Sequence, residues 1–154
     1  IFRVHTTKPF SYVALYKSMR NAWMTTQGVT FKAVGENLFL AQFMCVGDWN
    51  KVMGGGAWQF RGFAVVMEEY DGFTNVKDYK LDRIPVWARI IGVPDGLMKK
   101  KEIAEKIARK VGKPPIRVSV EDGRIVQTKY LRARVFLDLD TPLVRFVPIT
   151  LRRA

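Results

Sequence analysis

The sequence has few of the residues that build metal centres, disulfides and catalytic sites. Its 154 residues include one cysteine, Cys45, and one histidine, His5. A single cysteine excludes a disulfide within the chain, and one cysteine with one histidine cannot supply the ligands of a structural zinc site. No Ser–His–Asp or Cys–His set can be assembled convincingly from them. We therefore expect no bound metal, no cofactor and no enzymatic activity.

Long apolar runs and low-complexity tracts are also missing. No run approaches the roughly 20 apolar residues that a membrane-spanning helix needs. Hydrophobic residues make up 48% of the chain, which favours a globular fold of one domain or of two small lobes. No signal peptide is recognisable, and the chain opens at Ile1, so we expect the natural N-terminus to be missing. We expect an intracellular protein, in the nucleus or the cytoplasm.

Positive charge is in excess, and it is unevenly distributed. The formal net charge is +12, which favours a polyanionic partner, either nucleic acid or an anionic membrane surface. Residues 1–80 hold 9 Lys and Arg against 6 Asp and Glu, whereas residues 81–154 hold 17 against 8. The second half therefore carries a net charge of +9 against +3, and we expect any basic function to lie mainly there.

The first seventy residues predict a ferredoxin-like lobe of the kind that RNA-recognition motifs use. Apolar positions at three- and four-residue steps predict a helix after Pro9, with Ser11 as its N-cap. Five further segments complete the order strand, helix, strand, strand, helix, strand. They are an N-terminal strand at 1–5 that could lie at the sheet edge, a hairpin of 29–34 and 37–43, a short helix at 49–53 and a strand at 60–70.

A second, incomplete lobe is predicted after a polar connector at residues 71–83. Its strand at 84–94 is rich in β-branched residues, and its helix runs from about Leu97 to Val111. Strands at 116–120 and 130–139 follow, with a turn at Glu121-Asp122-Gly123 between them, and the tail 143–151 is strand-like but broken by Pro148. The fold class is therefore α+β, with a βαββαβ lobe at 1–70 and a βαββ lobe at 84–154; separate cores and one shared core are both open alternatives.

Two strands of the second lobe place arginines and aromatic residues on one face. Because side chains alternate along a strand, Trp87 and Arg89 share a face opposite Val86, Ala88 and Ile90. On the strand 130–139 the corresponding face carries the polar and aromatic side chains Arg132, Arg134, Phe136 and Asp138. In a ferredoxin-like sheet these two strands are neighbours, so the set is predicted to form one surface. Aromatic rings stack on bases and arginines bind phosphates.

Alternatives to this surface stay open at the level of sequence. Trp87 can instead be ordinary core, and the arginines can belong to a solvated strand face. The run Lys99-Lys100-Lys101 at a helix N-terminus is a second candidate for phosphate contact, or a solvated face. Asp138 and Asp140 lie on one strand face and could hold a divalent cation, the weakest of these hypotheses.

The first lobe lacks the outward aromatic residues of an RNA-binding sheet. The strand at 37–43 places Leu38 and Leu40 where a ribonucleoprotein motif would carry aromatic side chains. This pattern favours a face covered by protein, either the second half or a partner.

Three strings together resemble a plant domain family of unknown function. They are Asn37–Phe43, Val52–Trp58 and Ile84–Pro94, and Arg132–Val135 followed by Asp138 is similar to the family's late strand. The family precedes a CCHC zinc knuckle in the gag-like first-open-reading-frame proteins of plant LINE retrotransposons and in their domesticated relatives. The resemblance covers about residues 8–153. It implies binding of element RNA or other nucleic acid, and no catalysis; the knuckle itself is absent from this sequence.

The sequence therefore predicts a nucleic-acid-binding module that prefers single strands, with RNA favoured. The predicted contact residues are Trp87, Arg89, Arg132, Arg134, Phe136, Lys99, Lys100 and Lys101. The alternative is a protein-interaction or self-association scaffold that acts through the first lobe. An enzyme with a metal at Asp138 and Asp140 is the remaining and weakest alternative.

Overall fold

The chain folds into α and β elements in two compact units, Ile1–Ile84 and Pro85–Ala154. The computed structural model describes residues 1–122 and 129–150. The elements of the first unit are β1 (Phe2–Val4), α1 (Tyr12–Trp23), β2 (Val29–Gly35), β3 (Leu38–Phe43), α2 (Val46–Gly54), β4 (Gln59–Phe60) and β5 (Phe63–Met67), with a 3-10 turn at Val76–Asp78. Those of the second are β6 (Arg83–Ile90), α3 (Asp95–Met98), α4 (Lys101–Val111), β7 (Lys113–Asp122) and β8 (Lys129–Asp138).

A five-stranded antiparallel sheet in the order β2-β3-β1-β5-β4 forms the first unit. The N-terminal strand β1 lies in its centre, with Phe2 opposite Phe39 of β3 on one side and Met67 of β5 on the other. The expectation that residues 1–5 form an edge strand was therefore wrong. Phe2 and Val4 are fully buried, as a central strand requires.

Helix α1 begins where the sequence predicts. The Oγ of Ser11 accepts a hydrogen bond from the backbone N–H of Ala14 at 3.2 Å, so the predicted N-cap is confirmed. Leu15, Met19 and Trp23 form its buried face. Ala22, which we expected on that face, is exposed, whereas Trp23, the last residue of the helix, is buried.

The predicted strand at 60–70 is a hairpin instead. Strands β4 and β5 are joined by Arg61 and Gly62, which both have positive φ, 49° and 83°. Two successive residues with positive φ are typical of the tight turn that reverses a β-hairpin. The sequence Arg-Gly was the available turn signal.

The connector at 71–83 packs with the first unit. Leu81 is 1% exposed, and its backbone oxygen accepts a hydrogen bond from Nε of Arg3 at 3.0 Å. Arg3 alternates along β1 with Phe2 and Val4, which lie in the core. The connector therefore lies over the sheet face that points away from the two helices.

A three-stranded sheet in the order β6-β8-β7 forms the second unit, with α4 on one face. The helix residues Ala104, Ile107 and Ala108 and the β8 residues Leu131, Ala133 and Val135 are all buried. Val86 and Ile90 of β6 pack against the same core. This confirms the inward face predicted for these two strands.

Three expectations for the second unit differ from the structure. The predicted single helix is divided into α3 and α4 at Lys99 and Lys100. The tail has no strand over its described residues 143–150, and Leu151 lies outside the described residues. At the predicted turn, Glu121 and Asp122 belong to β7 and Gly123 lies outside the described residues.

Candidate nucleic-acid interface

Side chains of all three strands meet on the face of the second sheet opposite α4, here called the outer face. Trp87 and Arg89 come from β6, and Tyr130, Arg132, Arg134 and Phe136 come from β8. Arg117 of β7 lies opposite Arg134, which places it on the same face. The inward residues Ala133 and Leu131 face Val118 and Val120 in the same register, so the two faces separate cleanly.

Trp87 is the most accessible large ring of this face. It is 37% exposed, so the alternative that it is ordinary core does not hold. The guanidinium carbon of Arg132 lies 3.9 Å from the centroid of its ring, and that of Arg117 lies 5.5 Å away. Both distances are within the range of cation–π attraction. The indole is therefore flanked by two positive charges and still partly open to solvent.

Two further rings repeat the pairing of an aromatic with a guanidinium. Arg89 lies 5.4 Å from the ring centroid of Tyr130, and Arg134 lies 5.2 Å from that of Phe136. Arg134 and Phe136 are two residues apart on β8, so strand alternation places them together, whereas Arg89 and Tyr130 come from β6 and β8. The outer face thus combines planar rings and planar cations over three strands.

Arg134 differs from the other arginines because it is only 6% exposed. Burial lowers the pKa of Arg134, and the neighbouring charge of Arg117 lowers it further. A guanidinium nevertheless remains charged at neutral pH. Arg134 stays a predicted contact residue, but at this burial it offers a ligand less of its surface than the exposed Arg89 and Arg117 do.

Two residues of the outer face were missed at the level of sequence, Arg117 and Tyr130. Tyr130 has the same parity as Arg132 on its strand, so the alternation already contained that signal. Arg117 alternates with Ile116 and Val118, which are half-buried against the core. The sequence pattern of β7 was thus sufficient to place Arg117 outward, once its pairing with β8 is known.

The three lysines Lys99, Lys100 and Lys101 lie apart from the outer face. Lys100 is the N-cap residue of α4 and Lys101 its first residue, and α4 covers the opposite face of the sheet. All three are exposed, as a helix N-terminus with a basic run predicts. They form a separate basic patch rather than an extension of the outer face.

The carboxylates at the end of β8 do not form a metal site. Asp138 pairs with Nζ of Lys113, and Asp140 is exposed beyond the strand. Over residues 1–122 and 129–150, no group of three or more His, Cys, Asp or Glu side chains is placed to hold a metal ion. Within the same residues, no helix is both long enough and apolar enough to span a membrane.

A separate apolar groove of about 770 Å³ lies in the first unit. Phe43, Met44, Val46 and Trp49 are among the residues that line it. Met44 and Val46 are 52% and 72% exposed. The groove has the apolar lining of a binding surface but brings together no cluster of basic side chains.

Comparison with protein-family models, with curated proteins and with solved structures finds no match to this chain. Any function assigned to the outer face must therefore be argued from its geometry.

Proposed function

We propose that this protein is a nucleic-acid-binding module that prefers single strands, with RNA favoured. The observation that carries the proposal is the outer face, where a partly exposed Trp87 lies within cation–π distance of the guanidinium groups of Arg117 and Arg132. Rings accept unpaired bases by stacking, and guanidinium groups bind phosphates through two parallel hydrogen bonds. The proposed role is binding and not catalysis.

The preference for single strands follows from what a ring can reach. In a duplex the bases are stacked on each other, so Trp87 can contact them only after they separate. A flexible strand can instead place bases on the ring while its phosphates meet Arg89, Arg117 and Arg132. The excess positive charge of residues 81–154 strengthens the attraction for any such polyanion.

The topology supports a more specific proposal for the fold. We propose that the first unit is ferredoxin-like, because the order β2-β3-β1-β5 is the one that this fold uses, with β4 added as a short hairpin partner. The second unit has the corresponding β6-β8-β7 half. The resemblance to the plant family before a zinc knuckle agrees with this proposal, and we propose a retrotransposon-derived, gag-like origin on that basis.

A charge-matched pair of triple variants tests the proposal. One variant changes Arg89, Arg117 and Arg132 to glutamine; its control changes Lys17, Arg20 and Lys32, exposed residues of the first unit, in the same way. Binding of a fluorescein-labelled oligouridylate is measured by anisotropy at several salt concentrations. We expect the outer-face variant to reduce the slope of log K against log salt by about 2, since each lost phosphate contact accounts for about 0.7.

The control variant should bind nearly as the wild type does. Equal losses in the two variants would mean that only total charge matters, and would contradict the outer face as the site. A labelled duplex of the same length should bind more weakly than the single strand, and tighter duplex binding would contradict the preference for unpaired bases.

The apolar groove of the first unit supports a second candidate function, self-association or binding of a protein partner. Val46 is the first residue of α2, so Val46→Glu places a carboxylate where the helix dipole favours it while making the groove polar. If the first unit self-associates through this groove, light scattering shows a concentration-dependent oligomer that Val46→Glu reduces. A wild type that stays monomeric at all concentrations excludes self-association there.

A further inference from the structure

The rings of the outer face are already in contact with the protein's own cations. Arg132 lies 3.9 Å from the centroid of Trp87, whereas the Arg89–Tyr130 and Arg134–Phe136 pairs are separated by 5.4 Å and 5.2 Å. A separation near 4 Å is direct van der Waals contact. One side of the indole is therefore covered by Arg132.

A base that stacks on this side of Trp87 must take the space that Arg132 occupies. We infer that Arg132 controls access to Trp87: when a single strand binds, the guanidinium leaves the ring for a phosphate and a base replaces it. This inference rests on the proposed function and adds the residue that determines which ligands the face accepts. Arg132 acts here as a specificity-determining residue.

The exchange is favourable because the two partners of Arg132 differ in strength. A guanidinium is held to a partly exposed ring by a weak attraction, whereas a phosphate forms charge-assisted, bidentate hydrogen bonds. Arg117, 5.5 Å from the same ring, keeps a positive charge beside Trp87 after Arg132 has moved. When Arg132 moves from the ring to a phosphate, its positive charge also moves away from that of Arg117, which lies near the same ring.

The exchange makes the face respond to base and phosphate together. A ligand that has phosphates without bases can bind Arg89 and Arg117 and leave Arg132 on Trp87, because it has no base to replace the cation–ring contact. A ligand that has both gains the stacking contact in return for the lost cation–ring contact. The face should therefore distinguish a base-bearing strand from an abasic one less strongly than an uncovered tryptophan would.

The test is the ratio of two affinities measured at one salt concentration. The probes are a labelled oligouridylate and an abasic ribose–phosphate strand of the same length. In Arg132→Ala the ring is already open, so the ratio of base-bearing to abasic affinity should rise about two- to five-fold, the equivalent of one cation–π contact. The matched control, Lys106→Ala, removes an exposed cation from α4, on the opposite face of the sheet, and should leave the ratio unchanged.

Each remaining outcome of this experiment contradicts a stated proposal. A ratio that falls in Arg132→Ala means that the base stacks on the guanidinium itself. A ratio that does not change means that the base and Arg132 do not compete for Trp87. Either result overturns this inference and leaves the proposed function intact. Failure of the wild type to bind either strand overturns the proposed function and the inference with it. Arg132→Lys, which retains charge but not the planar group, provides a second variant if Arg132→Ala does not fold, and its ratio should rise with an unchanged salt slope.

Discussion

Aromatic residues occupy different positions in the two units. In the first unit a cluster of rings lies in the core: Phe2 contacts the rings of Trp23, Phe31 and Phe39 with centroid separations of 5.3–6.0 Å. In the second unit the core is made of small aliphatic side chains such as Ala108, Ala133 and Val135, and the rings lie on the outer face near arginines. Aromatic content alone therefore does not indicate a binding surface. The sheet face on which each ring lies is the informative feature.

In each sheet, the face that points away from the helices is covered to a different extent. In the first unit the connector lies over part of that face, as the contact between Arg3 and buried Leu81 shows. Leu38 and Leu40, which depart from the pattern of an RNA-binding strand, are half-buried there. The second unit retains a partly exposed ring between cations. A covered face and a face with a partly exposed ring thus belong to different sheets of the same chain.

The contrast between the units is tested most strongly by their tryptophans. Trp23 is fully buried among rings, so Trp23→Ala should cost about 3–5 kcal/mol of unfolding free energy. Trp87 is partly exposed, and Trp87→Ala should cost about 1 kcal/mol or less. Urea unfolding followed by circular dichroism measures both. If Trp87→Ala is as damaging as Trp23→Ala, Trp87 is a structural residue and the contrast fails.

A smaller effect is expected at Gly112, between α4 and β7. A Cβ atom there would lie 2.5 Å from Cγ2 of Val135 and 2.9 Å from the backbone oxygen of Phe136. Gly112→Ala should therefore destabilise the second unit by about 1–3 kcal/mol, a typical cost of overpacking. The matched control is Gly96→Ala in α3, where a Cβ meets nothing within 4 Å. Thermal unfolding should give Gly112→Ala a lower melting temperature than Gly96→Ala. Equal melting temperatures would show that the core of the second unit can adjust to the added Cβ without loss of stability.

The smallest of these effects concerns acid stability of the first unit. Asp48 is buried and accepts hydrogen bonds from the backbone N–H groups of Thr26 and Gln27, which lower its pKa from 3.8 to about 2. Because its pKa is lower in the folded state, Asp48 stabilises the fold above pH 4, and this contribution is lost as the pH falls toward 2.

The substitution Asp48→Asn removes this dependence. The difference in melting temperature between wild type and variant should be constant above about pH 5 and shrink steadily toward pH 2, by proton linkage. A difference that does not change with pH would show that Asp48 contributes through shape alone. Both proteins retain every other carboxylate, so their difference isolates Asp48.

Sequence periodicity was sufficient to predict most of the helices and to predict which strand residues point toward the core. The alternation of Trp87 and Arg89 with Val86 and Ile90 separates the outer face from the core, and Ser11 marks the start of α1. These features depend on neighbours in sequence, which is why local patterns predict them. The division of the second helix at Lys99 and Lys100 follows no equally clear local signal.

What the sequence did not predict depends on contacts between distant segments. The central position of β1 is set by its pairing with β3 and β5, and three residues carry no pattern that separates a central strand from an edge. Arg134 is buried although strand alternation places it on the outer face, where Arg117 of β7 lies opposite it. Asp48 reads as a helix-start residue, and its partners Thr26 and Gln27 lie about twenty positions earlier.

The central position of β1 has a consequence for the order of events during synthesis. Residues 2–4 emerge from the ribosome before their partner strand β5, which ends at Met67. A nascent chain that has not reached β5 leaves Phe2 and Val4 beside an unpaired edge, and such edges favour association with other chains. Strands β7 and β8, in contrast, pair with their immediate neighbour in the chain. Ribosome stalling before residue 67 should therefore yield a chaperone-dependent intermediate, and release of β5 should end that dependence.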